Sequence, residues 1–324
     1  MKSGSTLEKV LASGKPAVTA ELGPPMSADP HEVIKKAQQL KGFCDAANIT
    51  DCQTAVVRIS SIAAAAIALQ QGLEPVMQMT CRDRNRIAMQ ADLLGAAALG
   101  LKNCLCLAGD HQKFSAAGRL KGHPGAKNVY DVDTCQLVGI MKKMRDESKQ
   151  DGGDPIEVPP KFFIGASWTP MADPIDFRPI NLMKKVNAGA DFIQTQGIYD
   201  MALFREQMAK IRNMGLHEKT AILAGIIVPK SAMMLKYMDG NVAGVSVPKE
   251  LIDRMNKAKA AAGEDKKKMK ELQEQEGIRI TIELIHQALE TPGVRGVHIQ
   301  AIEWESAIEG IVKAAGLYPR PSFD

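Results

Sequence analysis

Eight short runs of small and β-branched apolar residues recur along the 324-residue chain, separated by longer stretches whose apolar residues repeat every three or four positions. The runs are AVTAEL (17–22), CDAANIT (44–50), PVMQMT (75–80), NCLCLA (103–108), FFIGAS (162–167), DFIQTQ (191–196), TAILAG (220–225) and GVHIQA (296–301). Their near-continuous apolar character suits parallel strands covered on both faces. Parallel neighbours need a crossover of a dozen or more residues, which the helical stretches supply. In one of these, 83–99, Ile87, Ala91, Leu94 and Ala98 recur at helical spacing. Eight such units close a sheet on itself, so the pattern predicts an α/β chain, a (β/α)8 TIM barrel, forming one domain over 1–324.

Two stretches depart from the simple alternation. Residues 111–131 form a long Gly- and Pro-containing segment after the fourth run, placed where a functional lid would lie. Residues 248–290, after the seventh run, read as a helical insertion. Its Ile278, Ile282, Ile285 and Leu289 form a stripe expected to pack on the barrel, and EDKKKMKELQEQE (264–276) is expected to be a solvated face.

Several function classes are excluded by what the chain lacks. Aromatics make up 4% and the net charge is only +4, so neither a stacking surface nor a basic groove for nucleic acid is present. The six cysteines contain no CxxC pair, and the CxC of Cys104 and Cys106 suits core packing better than metal binding. No GxGxxG, GxxxxGK[ST] or HExxH occurs, and the six histidines are scattered. His298, inside the last run, reads as a satisfied core histidine. No run approaches a membrane span and the N-terminus has no signal-like apolar stretch, so a cytoplasmic protein is expected.

Candidate chemistry lies at the C-terminal ends of the runs, where a barrel carries its active site. Glu21, Thr50, Thr80 and Asp110 are spaced 29, 30 and 30 residues apart, and Gln196 ends the sixth run. Asp110 follows LAG, and Gly109 would let the backbone approach a flat ligand; alternatively Asp110 caps the segment behind it. Glu21 lies in TAELGPP, where barrel walls could raise its pKa and make it a general acid; alternatively it pairs with a lysine. Ser167 and Trp168 end the fifth run, Trp168 serving either the site or packing. Lys184 and Lys185 could meet a phosphate or simply be solvated. Gln196 can donate and accept at once, which suits a heterocycle edge.

TAELGPP, NIT, QMTC, LAGD, VYDVD and NLMKKVNAGADFIQTQ, in that order over roughly 15–315, resemble the methylenetetrahydrofolate reductases, flavin-dependent (β/α)8 enzymes of one-carbon metabolism. The resemblance implies reduction of methylenetetrahydrofolate to 5-methyltetrahydrofolate, with Glu21 as general acid and Asp110 near both flavin and folate. It implies that Gln196 contacts the pterin. The flavin, FAD first and FMN second, would be bordered by Thr50, Gln78, Ala108, Gly109, Asp110, Tyr130, Asp131, Asp133 and Ser167. Asn181, Lys184 and Lys185 would hold its ribityl and phosphate groups. The chain departs from relatives in having Ala108 where many carry arginine and Gln78 where histidine is common. Ala232 and Trp304 stand where NADH-using bacterial members carry phenylalanine and arginine. A separate electron-donating redox protein and an oligomeric state are therefore expected. The alternatives are a folate barrel that transfers a methyl group to a corrinoid and a non-catalytic barrel that docks a redox partner.

Overall fold

The structure is a computed structural model describing residues 1–113, 115–116, 119–120 and 122–323. Residues 114, 117, 118 and 121 of the predicted 111–131 lid therefore lie outside the described residues. The strands are β1 (Ala17–Leu22), β2 (Ala46–Ile49), β3 (Pro75–Thr80), β4 (Asn103–Leu107), the short β5 (Ser115–Ala116) and β6 (Arg119–Leu120), β7 (Phe163–Trp168), β8 (Phe192–Gly197), β9 (Ala221–Ile227) and β10 (Val294–Gln300). Eight of them close in the order β1-β10-β9-β8-β7-β4-β3-β2, every neighbouring pair parallel, while β5 and β6 pair with each other. This is the (β/α)8 barrel that the eight runs predict.

Alternate residues of each strand face the interior. At the N-terminal end the interior is apolar: Val76, Leu105, Phe163, Phe192 and Leu223 cluster with Leu7, Val10 and Leu11 of a helix, Thr6–Ala12, that plugs the bottom. The Phe163 and Phe192 rings stack there at 5.2 Å. Water is thus excluded from below, and the interior opens only at the C-terminal mouth.

After β9 comes the helix Ala232–Asn241 and then, within the expected helical insertion, Lys249–Ala260 and Lys266–Leu289. Ile285 is fully buried, with Ile278, Ile282 and Leu289 partly buried against the core. The 264–276 run is not wholly solvated: Gln273 and Glu276 are buried, and Glu276 accepts from Arg254 Nε at 2.8 Å. The helix Arg86–Ala98 forms where the helical spacing predicts one. Its buried face carries Met89, Leu93 and Ala96, whereas Ile87 and Leu94 point outward. That helix is apolar on both sides, so periodicity alone could not choose the face. Among the described residues, no helix is long and apolar enough to cross a membrane.

One irregularity aims a side chain at the mouth. Between Gln194 and Gly197, β8 carries one residue more than β9 does between Leu223 and Gly225. Such a bulge re-aims the strand. It is held by Gly225 N–H donating to Thr195 Oγ1 at 2.8 Å and Ile198 N–H donating to Gly225 O at 2.9 Å. A Cβ at position 225 would lie 2.3 Å from the Thr195 carbonyl oxygen, a backbone atom that cannot move aside. We predict that Gly225→Ala lowers the unfolding free energy by about 2 kcal/mol in urea denaturation; an unchanged midpoint would show that the bulge is soft.

Candidate active site

A cavity of about 400 Å³ opens at the C-terminal mouth. Its walls repeat a doublet of inward polar residues two apart: Asn48 and Thr50 from β2, Gln78 and Thr80 from β3, Gln194 and Gln196 from β8, His298 and Gln300 from β10. On β1 the doublet is Thr19 and Glu21, of which Glu21 lines the cavity. Ala108, Gly109, Asp110 and Ser167 complete the expected residues that the fold brings together here. The floor is polar because each doublet contributes a deeper residue as well as a rim residue.

Glu21 is the carboxyl that this arrangement leaves alone. Its side chain is 22% exposed, facing the cavity, and His298 Nε2 lies 4.0 Å from Oε2. Among the described residues, no lysine pairs with it. The adjacent Lys36 amine is held instead by Glu305 at 2.8 Å and by the Gly23 carbonyl at 3.2 Å. Removal from water pushes the Glu21 pKa up to about 7; the Glu305 carboxylate adds to the rise and Lys36 opposes it. His298 moves the other way, down to about 3, because burial disfavours its cation. Neutral imidazole and protonated carboxyl therefore coexist near neutral pH.

Among the described residues, Asp110 caps nothing behind it. Its Oδ2 accepts the Thr54 N–H at 2.7 Å, from the loop that follows β2. In that loop Cys52, Thr54 and Ala55 adopt positive φ of 47°, 57° and 56°, a region that non-glycine residues occupy only when the surroundings enforce it. The enforcement comes from Arg82, 2% exposed, whose guanidinium donates to the Cys52 carbonyl at 3.2 Å and the Asp110 carbonyl at 3.0 Å. Buried Asp51 adds a second tie, accepting from Thr80 N–H at 2.9 Å and pairing with Arg84 at 2.8 Å. Gly109, at φ 87°, serves this packing: a Cβ there would meet Thr80 Cβ at 3.0 Å and Arg82 Cβ at 3.1 Å. The absent side chain thus makes room for Thr80 and Arg82.

Of the remaining expected residues, Trp168 also borders the cavity, and the others lie outside its lining. Tyr130 is partly exposed and its hydroxyl donates to the Gly109 carbonyl at 3.3 Å. Asp131 is paired with Arg86 at 2.9 Å, and Asp133 caps the helix Thr134–Glu147. Asn181 and Lys184 lie on the helix Arg178–Ala188, the Lys184 amine 5.3 Å from the Phe177 ring. Lys185 is buried, its amine turned onto the Ser167 carbonyl. Trp168 is fully buried, with Nε1 donating to Arg178 O at 3.0 Å, and Cys104 and Cys106 are core. Sequence reasoning missed Thr19, Asn48, Gln194, His298 and Arg82. The first four carried a legible signal, a polar residue two positions before each rim residue.

A closed parallel barrel with its polar cavity at the C-terminal mouth is a (β/α)8 protein of the kind that binds and transforms small molecules at that face. The chain belongs to the methylenetetrahydrofolate reductase family, whose sequence model matches residues 6–316. It is 25% identical over 249 residues to methylenetetrahydrofolate reductase 1 of Schizosaccharomyces pombe, covering 76% of this chain and 36% of that protein. It is 22% identical over 266 residues to a probable methylenetetrahydrofolate reductase (NADPH) of Caenorhabditis elegans, covering 81% of this chain and 35% of that protein. The chain thus spans little more than a third of the length of these relatives. Among solved structures, an uncharacterized Clostridium thermocellum protein that binds two copies of 5-methyl-5,6,7,8-tetrahydrofolic acid superposes with a TM-score of 0.60 at 13% identity, covering 96% of this chain and 99% of that one. DmoA from Hyphomicrobium sulfonivorans gives 0.53 at 10% identity, covering 96% and 90%. At these identities the two structures speak for the fold.

The raised Glu21 pKa has a consequence for stability. Because the folded value lies above the unfolded 4.5, this group's contribution is intact below 4.5 and is lost as pH rises towards 7. Glu21→Gln cannot ionise and escapes that loss, while the opposite His298 effect is common to both proteins. We predict equal stability of the two below about pH 4 and, at pH 8, a variant more stable than the native chain by about 3 kcal/mol in urea titrations. Parallel pH curves would place Glu21 in water.

Proposed function

We propose that the chain reduces 5,10-methylenetetrahydrofolate to 5-methyltetrahydrofolate at the barrel mouth, using a bound flavin, with FAD ahead of FMN. The observation that carries this reading is Glu21: a carboxyl without a cationic partner, shielded by barrel walls, whose pKa of about 7 suits a general acid. Family membership supplies the reaction, and the Clostridium thermocellum neighbour supports a reduced folate as ligand.

The cavity chemistry fits a flavin ring. The Gln78 amide opens onto the cavity, beside the Thr50 hydroxyl and the Ala108–Gly109 backbone, a mixed set of donors and acceptors for a flat heterocycle. Beyond the rim, the helix Arg178–Ala188 starts without a side-chain cap, and Asn181 and Lys184 lie on it. These groups would hold the ribityl and phosphate part, since helix N-termini favour anions. Lys185 is committed to the Ser167 carbonyl and would have to leave it to take part. A bound flavin supplies the hydride.

The chain's own residues prepare the carbon that receives it. While bridged between two nitrogens, the substrate methylene is a poor electrophile. Glu21 gives its proton to one bridging nitrogen, the carbon–nitrogen bond breaks, and an iminium cation forms while Glu21 becomes a carboxylate. The Asp110 carboxylate, held by the Thr54 N–H while Arg82 holds its main-chain carbonyl, offers a negative charge to that cation. Gln196, aimed by the β8 bulge, offers its amide to the pterin edge. Electrons are expected from a separate redox protein: Ala232 is buried, its N–H donating to Gln273, and offers no surface on which a nicotinamide could stack.

Anaerobic stopped flow of the flavin-loaded protein tests this account. NADH should reduce the flavin slowly and a reduced dye quickly. Reoxidation by methylenetetrahydrofolate should then slow by about 10²- to 10⁴-fold in Glu21→Gln, with flavin still bound. Reoxidation of the variant at the native rate would remove Glu21 from the chemistry, and rapid bleaching by NADH would remove the redox partner. A colourless protein that still binds folate would favour methyl transfer.

A further inference from the structure

Four polar side chains beneath the cavity form a chain of hydrogen bonds across the barrel interior: Asn48 on β2, Gln194 on β8, Thr19 on β1 and His298 on β10. None is more than 2% exposed. Burial of this kind is costly unless each donor is satisfied, so the protons can be followed from group to group. Asn48 Nδ2 donates to Gln194 Oε1 at 2.6 Å. Gln194 Nε2 uses its two hydrogens on Asn48 Oδ1 and Thr19 Oγ1, both at 3.0 Å. Thr19 has one proton left to give, and His298 Nδ1 at 3.0 Å is nearer than the Val297 carbonyl at 3.4 Å. Nδ1 therefore accepts, which puts the ring proton on Nε2. That nitrogen faces the cavity, 4.0 Å from Glu21 Oε2.

We propose that His298 is a positioning residue for Glu21, locked by the Asn48–Gln194–Thr19 relay in the tautomer that presents Nε2–H to the carboxyl. The inference rests on Glu21 being the acid. In the chain without substrate the contact is longer than a hydrogen bond, and a small rotation of the carboxyl closes it, as such contacts tighten when a site fills. Oε2 then serves as acceptor, so the acidic proton resides on Oε1 and is directed into the cavity. Once that proton is given away, Nε2–H stabilises the carboxylate that remains. Burial keeps the imidazole neutral, so His298 donates without itself exchanging charge. The other charged groups acting on Glu21 are Glu305, in the loop after β10, and Lys36, on the helix His31–Leu40; they are paired with each other at 2.8 Å.

The lock is read directly by ¹⁵N spectra of histidine-labelled protein, with His298 assigned by its loss in His298→Gln. We expect an unprotonated Nδ1 and a protonated Nε2 that stay unchanged from about pH 8 to about pH 5; a protonated Nδ1, or titration within that range, overturns the lock. The coupling is read by substrate-dependent flavin reoxidation against pH. His298→Asn and Thr19→Val should each slow it by roughly 10- to 100-fold and move the Glu21 pKa upward. His298→Gln, whose amide reaches the place of Nε2, should recover most of the loss. In a Glu21→Gln background, His298→Asn should add nothing. A native pH profile in either variant, or Gln faring no better than Asn, overturns the coupling. A Glu21→Gln protein that is itself unimpaired would overturn the acid assignment, while the ¹⁵N spectra judge the lock separately.

Discussion

Exclusion of water from the barrel interior is the constraint on which the rest depends. With the bottom plugged by the helix Thr6–Ala12 and a ring of apolar side chains above it, every inward polar group must find a protein partner or face the cavity. Asn48, Gln194 and Thr19 satisfy one another. Glu21 does not enter that network, and the available lysine is already held by Glu305. A carboxyl in this position retains its proton because ionising it would strand a charge. The property that makes Glu21 useful as an acid is thus a product of barrel closure more than of any single neighbour.

A second carboxyl receives the opposite treatment. Asp110 is exposed, yet it is positioned as firmly as a core residue because its side chain and its carbonyl are held by different loops. Arg82 is the tie: it spans the loops after β2 and β4 from the loop after β3, and the three positive-φ residues at Cys52, Thr54 and Ala55 depend on it. Two carboxyls at one mouth are therefore set apart by environment, one dry and unpartnered, one wet and tethered. That is the arrangement in which one can donate a proton while the other offers charge.

The barrel was legible because parallel strands buried on both faces must be apolar along their length, and the eight runs stand out for that reason. Boundaries shifted by one or two residues, as at β2 and β10. The rim residues were legible because the fold places its site at strand ends. The deeper layer left a fainter signal: inside an apolar run, Asn48, Gln194 and His298 look like isolated exceptions, and His298 was expected to be inert core. Their meaning lies in the two-residue offset from the rim and in pairings between strands far apart in sequence, such as Thr19 opposite His298. The helix Arg86–Ala98 shows the same limit, since an apolar pattern on two faces does not say which face the barrel covers.

The central claim is that barrel closure keeps Glu21 protonated up to the approach of neutral pH. Infrared difference spectra between the native chain and Glu21→Gln, taken across a pH series, observe that proton without reference to cofactor or turnover. The account predicts a carboxylic C=O band, present in the native protein and absent from the variant, that persists through pH 6 and fades with a midpoint of about 7. A band already replaced by carboxylate absorption near pH 5 would contradict it.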